Sequence, residues 1–197
     1  MKGGRLRNRD RYLEEAMLFR DTDLIKVITG VRRCGKSSLL DLIRMAVESE
    51  GVAGRGFVSV NLESKGTGIK TEDQLYDYVR GRLSDKGRTY VFIDEPQRID
   101  GWQDAVNAMR IDFDCDIYLT GSNAYLLSSE LATYLSGRYV EVKMLPLSFS
   151  EFADFCGIEF VSGTSVALTP EGDPVLFDDP GAALGVHVRR LRSHRRA

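Results

Sequence analysis

The sequence predicts an α/β fold, a parallel sheet with helices on both faces, and three observations predict it. A short apolar run at residues 24–28 leads into Gly30-Val31-Arg32-Arg33-Cys34-Gly35-Lys36-Ser37, after which apolar residues recur at helical spacing. The run Tyr90-Val91-Phe92-Ile93 is apolar without interruption, as a strand buried on both faces should be, and it stops at Asp94-Glu95. Strand-like and helix-like segments alternate from the first of these runs as far as Met144.

Residues 9–19 carry Tyr12, Leu13, Ala16, Met17 and Phe19 roughly on one face between charges, a helix that Asp21-Thr22-Asp23 breaks. The first strand spans 24–29, and the helix after the glycine-bounded loop runs to about residue 50. Gly51, Gly54 and Gly56 mark a loop before a second strand at 57–62. Thr71-Glu72-Asp73-Gln74 has the form of a helix start with an N-cap threonine, and Leu75, Tyr78, Val79 and Leu83 supply that helix with an apolar face. A third strand at 90–95 follows, then a helix at 101–110 with Trp102, Val106 and Met109 inward. A fourth strand at 116–122 ends in polar residues; a helix at 124–135, stopped by Ser136-Gly137, delivers the chain to a fifth strand at 139–144. Beyond Pro146 the pattern thins to a short helix at 149–155 and a strand at 161–166, and there is no internal repeat.

A chain of 197 residues, 43% hydrophobic and 28% charged, can bury one real core with a fragment of a second domain left over. The net charge of −2 hides an asymmetry, because the last twelve residues hold Arg189, Arg190, Arg192, Arg195 and Arg196 and no acid. The body is therefore acidic and the tail basic. Cys34, Cys115 and Cys156 lie far apart without paired metal-ligand spacing, which disfavours a disulfide framework and fits a reducing compartment. No apolar run approaches membrane-spanning length, and the first residues lead into no signal-type stretch. These features point to a cytoplasmic protein with no membrane partner.

The chemistry is concentrated at the ends of the strands. In G-x-x-x-x-G-K-S the glycines let the backbone curl until successive N–H groups point at a phosphate, and the helix start adds its positive dipole end. Gly30, Val31, Arg32, Arg33, Cys34, Gly35, Lys36, Ser37 and Ser38 are thus the candidate residues for binding a nucleoside triphosphate. Lys36 is expected on the β- and γ-phosphates and the Ser37 hydroxyl on Mg²⁺. Asp94 can hold Mg²⁺ from the end of a buried strand, and Glu95 beside it can polarise an attacking water. Binding needs only the aspartate; the glutamate points to hydrolysis.

Asn61, at the end of the second strand, either holds Glu95 away from the water or simply leaves the strand as a turn asparagine. Ser122 or Asn123 can reach the γ-phosphate or the water, and the same residue types serve a plain helix N-cap. Arg138, just before the fifth strand, can face the γ-phosphate of a neighbouring subunit or lie solvated at the surface.

With these elements placed, residues 5–155 resemble the AAA-type P-loop ATPases. The runs I-T-G-V-R-R-C-G-K-S-S-L-L, F-I-D-E-P-Q, L-T-G-S-N-A-x-L-L-S-S-E-L-A-T-x-L-S-G-R and L-P-L-S-F-x-E-F are similar to those of a prokaryotic subgroup that usually continues into a winged-helix-like C-terminal domain. The resemblance implies a P-loop NTPase fold, a five-stranded parallel sheet in the order 5-1-4-3-2 flanked by helices. It implies ATP and Mg²⁺ as ligands, Lys36 and Ser37 in the phosphate-binding loop, Asp94 on the metal and Glu95 on the water. It also implies Asn61 as a switch, Ser122 or Asn123 as a sensor, and Arg138 in the place of an arginine finger, hence a homo-oligomer. The choice of adenine rests on the resemblance too, since no N-K-x-D guanine-reading run is present.

On this reading residues 1–155 form an AAA-type ATP-binding domain, and 156–197 are a fragment of a C-terminal region, poorly ordered from about 180. The composition changes at Pro180, as a truncation or a frame change would produce. The expected function is Mg²⁺-dependent ATP hydrolysis coupled to conformational change; the alternative is an ATP-bound signalling switch with little turnover. Either would act on a protein partner that the sequence does not identify. A DNA partner for the arginine-rich tail is a third and weaker reading.

Overall fold

The computed structural model describes residues 9–52, 56–122 and 135–148, together with 151–152, 155, 159–160, 166–168, 174–176 and 189–190. It divides into two compact units, Met1–Pro146 and Leu147–Ala197. The first unit runs α1 (Asp10–Met17), β1 (Ile25–Gly30), α2 (Lys36–Ser49), β2 (Phe57–Asn61), α3 (Glu72–Arg80), β3 (Thr89–Asp94), α4 (Trp102–Asp112), β4 (Cys115–Gly121) and β5 (Tyr139–Met144).

All five strands are parallel and lie in the order β2-β3-β4-β1-β5, the order expected from the sequence written from the other edge. Alternation along each strand sends side chains to two separate cores. Val58, Val60, Val91, Ile93, Ile117 and Leu119 face one way and pack with Leu75 and Val79 of α3 and Trp102, Val106 and Met109 of α4. Ile28, Tyr90, Phe92, Tyr118 and Val142 face the other way and pack with Tyr12 and Ala16 of α1 and Leu39, Leu40, Ile43 and Val47 of α2. Because both faces are covered, β1, β3 and β4 are buried along their whole length, which is why Tyr90-Val91-Phe92-Ile93 of β3 reads as a continuous apolar run.

The helices begin where their sequences say they should. The Thr71 hydroxyl accepts from the Gln74 backbone N–H at 3.3 Å, and Glu72 and Asp73 follow it in the first turn of α3. α1 is shorter than its apolar pattern suggests, because the chain turns after Leu18 and the Thr22 hydroxyl donates back to the Phe19 carbonyl at 2.6 Å. The expected helix over 124–135 lies outside the described residues.

In the second unit the described strands β6 (Glu159–Phe160), β7 (Val166–Leu168), β8 (Pro174–Leu176) and β9 (Arg189–Arg190) pair antiparallel in that order. Of the expected strand at 161–166, Val166 opens β7 and the remainder lies outside the described residues. Ser148 and Glu151 form a reciprocal cap: the Ser148 N–H donates to the Glu151 carboxylate at 2.7 Å, and the Glu151 N–H to the Ser148 hydroxyl at 3.2 Å. Among the described residues no helix is long and apolar enough to cross a membrane.

The amino ends of β1 and β4 are joined by a fully buried ion pair. Lys26 donates to Asp116, and both side chains are 0% exposed. The other Asp116 oxygen accepts from the Asp21 N–H at 2.9 Å and the Tyr118 hydroxyl at 3.1 Å, so the carboxylate is well satisfied. Burial pushes the Lys26 ammonium below its ordinary pKa, with Asp116 opposing the shift, and burial pushes the Tyr118 phenol well above its own. Removing one partner strands the other charge in the core. Asp116→Ala is therefore expected to lower unfolding stability by about 3–5 kcal/mol in urea titrations. Lys26→Met combined with Asp116→Leu should recover most of that loss; a double variant no more stable than Asp116→Ala would contradict this account.

Candidate functional site

The functional residues collect at the carboxyl ends of the strands, the opposite end from the Lys26–Asp116 pair. Three of these ends are fixed in one row by strand register, with Asn61 of β2 beside Asp94 of β3 and Asp94 beside Thr120 of β4. Asp94 is 7% exposed and gathers three donors. Its Oδ2 accepts from the Ser37 hydroxyl at 2.8 Å and from Asn61 Nδ2 at 2.9 Å, and its Oδ1 accepts from the Thr120 hydroxyl. Burying a carboxylate is costly unless it is hydrogen-bonded, and these three donors satisfy it.

The glycine-bounded loop joins β1 to α2 directly above this row. Gly30 has no room for a side chain: a Cβ would stand 2.6 Å from Cys34 Sγ and 2.6 Å from the Met144 carbonyl oxygen of β5. Gly35 sits at φ 97° in the left-handed region, the turn that starts α2. Arg33, at φ 68°, adopts a left-handed backbone without being glycine. Lys36, in the first turn of α2, is 6% exposed and bends back to donate to the carbonyls of Gly30 and Val31, each at 3.2 Å. From outside, Arg9 donates to the Cys34 carbonyl at 3.1 Å and to the Leu145 carbonyl at 2.9 Å, tying the loop to the end of β5.

These elements enclose a cleft of about 800 Å³, within the range of small-ligand sites. Arg32, Arg33, Lys36 and Arg98 line it against the acids Glu63 and Glu95, together with Gly35, Ser37, Ser38 and Ser122. The cationic excess and the start of α2 suit an anionic ligand such as a phosphate chain. Glu63 spans the mouth, its Oε1 accepting from Arg32 Nη2 at 3.3 Å and from Arg98 Nη2 at 3.4 Å. Ser37 and Asp94 offer hard oxygens 2.8 Å apart. That pair fits Mg²⁺, which is commonly held by one or two protein oxygens plus phosphate and water.

Most residues singled out from the sequence do meet here, with instructive exceptions. Cys34 is 5% exposed and its thiol packs into the core beside α1 and α2, so only its backbone can face a ligand. Val31 is 53% exposed. Asn61 touches Asp94 rather than Glu95, and its own Oδ1 accepts from the Glu63 N–H at 2.9 Å, so both ends of the amide are occupied. Glu95 is engaged by Gln97, whose Nε2 donates to its Oε2 at 2.5 Å. Asn123 lies outside the described residues, whereas Ser122 lines the cleft. Arg138 sits at the far end of the sheet, since β5 begins at Tyr139 beside Ile25 and Gly30 pairs with Met144. Five residues of strand separate the two levels, roughly 17 Å, further than an arginine side chain spans. Arg138 is exposed and donates to Asn107 Oδ1 at 3.3 Å.

Sequence reasoning missed Thr120, Glu63, Gln97 and Arg98. A signal existed for Thr120, a polar residue ending a buried strand, and for Gln97 and Arg98, which directly follow Asp94-Glu95-Pro96. Glu63 carried none, because its place at the mouth depends on how β2 lies against the loop.

The AAA domain family model matches residues 22–153. A Haemophilus influenzae protein described as uncharacterized is 47% identical over 147 residues, 74% of this chain and 37% of that protein. A Methanocaldococcus jannaschii protein, also described as uncharacterized, is 36% identical over 132 residues, 66% of this chain and 28% of that one. The chain thus spans little more than a third of the first relative and under a third of the second. Among solved structures, Hsp104 in a closed state with ATPγS and casein superposes with a TM-score of 0.55 at 15% identity, over 77% of this chain and 29% of that one. A DNA polymerase III gamma subunit-related protein from Thermotoga maritima gives 0.53 at 15% identity, over 74% of this chain and 48% of that one. At such identities the solved structures speak for the fold alone. The family match over two thirds of its length shows that the chain belongs to the AAA domain family, and its fold is that of the P-loop NTPases.

Proposed function

We propose that this chain binds ATP with Mg²⁺ in the cleft above β1, β3 and β4 and hydrolyses it. The observation that carries the reading is the meeting of Ser37 with Asp94 at 2.8 Å, beside Glu95 and under Lys36. In this reading Lys36 leaves the carbonyls of Gly30 and Val31 for the phosphate oxygens, and the backbone N–H groups of residues 32–38 cradle the β-phosphate. Ser37 and Asp94 are the residues that hold the metal. Mg²⁺, when bound, offsets the negative charge that builds on the phosphate oxygens. Glu95 takes a proton from water as the water oxygen bonds to the γ-phosphorus, and the bond from that phosphorus to the β–γ bridging oxygen breaks, releasing ADP. Ser122 closes the γ-phosphate side, and Asn61 and Thr120 hold Asp94 in place from either side.

Arg138 lies too far from its own cleft to serve it, so an arginine finger at this position acts on a second copy of the chain. An oligomer in which each site is completed by a neighbour follows from that reading of Arg138. A second reading, an ATP-bound switch that turns over rarely, is favoured by one observation: Glu95 is held by Gln97. Whatever the nucleotide state drives lies with the whole protein and its partners, beyond this domain.

Two experiments test the reading. Lys36→Ala should weaken ATP binding by about ten- to hundredfold, the loss of a hydrogen bond between charged groups. Glu95→Gln should keep binding but slow turnover by about 10²- to 10⁴-fold. Equal turnover in wild type and Glu95→Gln would reject hydrolysis at this site. For the neighbour's contribution, Arg138→Ala and Lys36→Ala proteins, each inactive alone, should regain turnover when mixed, because mixed assemblies contain intact composite sites. Absence of recovery would exclude a shared site.

A further inference from the structure

We infer that Gln97 is a restraint on Glu95, a positioning residue that parks the carboxylate away from the water until nucleotide loading releases it. The inference rests on the hydrolytic reading of the cleft, and three observations carry it.

The first is the contact itself. Gln97 Nε2 donates to Glu95 Oε2 at 2.5 Å, and both side chains line the cleft. The orientation of the amide follows from charge, because the opposite flip would set its oxygen against a carboxylate. The second is the backbone around Glu95. Glu95 takes a left-handed conformation at φ 61°, ψ 51°, and Pro96 starts a short 3₁₀ turn, Pro96–Arg98, that carries Gln97 back beside it. This backbone is pinned on both sides: the Glu95 N–H donates to the Thr120 carbonyl at 3.2 Å, and its carbonyl accepts from the Arg98 N–H at 3.2 Å. Any repositioning of the carboxylate is therefore a rotation of the Glu95 side chain alone. The third is the occupation of Asn61, whose two amide ends are used by Asp94 and by the Glu63 N–H. Neither of those bonds goes to Glu95.

The parked arrangement also leaves something unsatisfied. Gln97 Oε1 is buried without a hydrogen-bond partner, so the amide is anchored at one end only. A buried acceptor without a partner disfavours the state that contains it, which makes parking easier to reverse than a fully bonded network would be.

The test uses two substitutions that should move turnover in opposite directions. Gln97→Leu keeps the volume and removes the donor; kcat at saturating ATP and Mg²⁺ is expected to rise about tenfold with KM unchanged, and the gain should vanish when Glu95→Gln is added. Gln97→Lys replaces the amide with an ammonium that holds the carboxylate more tightly; kcat is expected to fall, again at constant KM. A merely structural role for Gln97 would lower kcat in both variants. Both falling, or neither changing, in a chain whose turnover depends on Glu95 would overturn the inference and leave the hydrolytic reading standing. If the wild-type chain binds ATP without turning it over, a Glu95-dependent gain in Gln97→Leu supports the restraint. Continued silence in that variant rejects both the restraint and hydrolysis, and leaves nucleotide binding to be judged by Lys36→Ala.

Discussion

A carboxylate buried at the end of a parallel sheet has to be surrounded by donors, and Asp94 is placed where three elements can provide them. Ser37 reaches it from α2, Asn61 from β2 and Thr120 from β4. Strand register sets the last two; the loop between β1 and α2 sets the first. The same register carries Glu95 one residue past the sheet into the cleft, where the left-handed turn at its backbone redirects the chain. Shifting β3 by one residue would turn Asp94 to the opposite face and undo all three contacts, since side chains alternate along a strand. The cleft is thus a consequence of pairing four strand ends correctly.

The two ends of the sheet are stabilised by different physics. At the amino end, Lys26 and Asp116 form a closed ion pair whose remaining lone pairs are filled by Asp21 and Tyr118. At the carboxyl end the charges are of mixed sign and only partly neutralised. Lys36 rests on carbonyls, and Glu63 is shared between two arginines at the mouth. An anionic ligand offers Lys36, Arg32 and Arg98 better partners than they have, so binding can be favourable without reshaping the core. The interior pair fixes the frame, and the cleft keeps its polar groups free to exchange partners.

Much of the fold was legible because the central strands are buried on both faces and their apolar runs could hardly be anything else. β5 was located to the residue, and the N-cap at Thr71 was readable from four residues. The loop residues Gly30, Gly35, Lys36 and Ser37 were legible because phosphate binding needs those types at that spacing. The partners of Asn61 and Glu95 were not. Both residues lie at strand ends where either neighbour is within reach; the register of β2 on β3 gives Asn61 to Asp94, and the path of the turn after Pro96 gives Glu95 to Gln97. Glu63 and Arg98 meet for a similar reason, being brought together by parallel β2 and β3 from 35 positions apart. Residue type announced the chemistry, and three-dimensional register assigned the partners.

The central claim is that Asp94 and Ser37 form the metal-holding floor of an ATP site. It is tested most directly by calorimetric titration of ATP with and without Mg²⁺ into the wild-type chain and Asp94→Asn, with thermal melts to verify folding. The account predicts that Mg²⁺ tightens ATP binding to the wild-type chain and that Asp94→Asn loses this dependence while still binding ATP through Lys36. An Mg²⁺ dependence equal in the two proteins would contradict it, and would remove Asp94 from the site on which the rest of the reading depends.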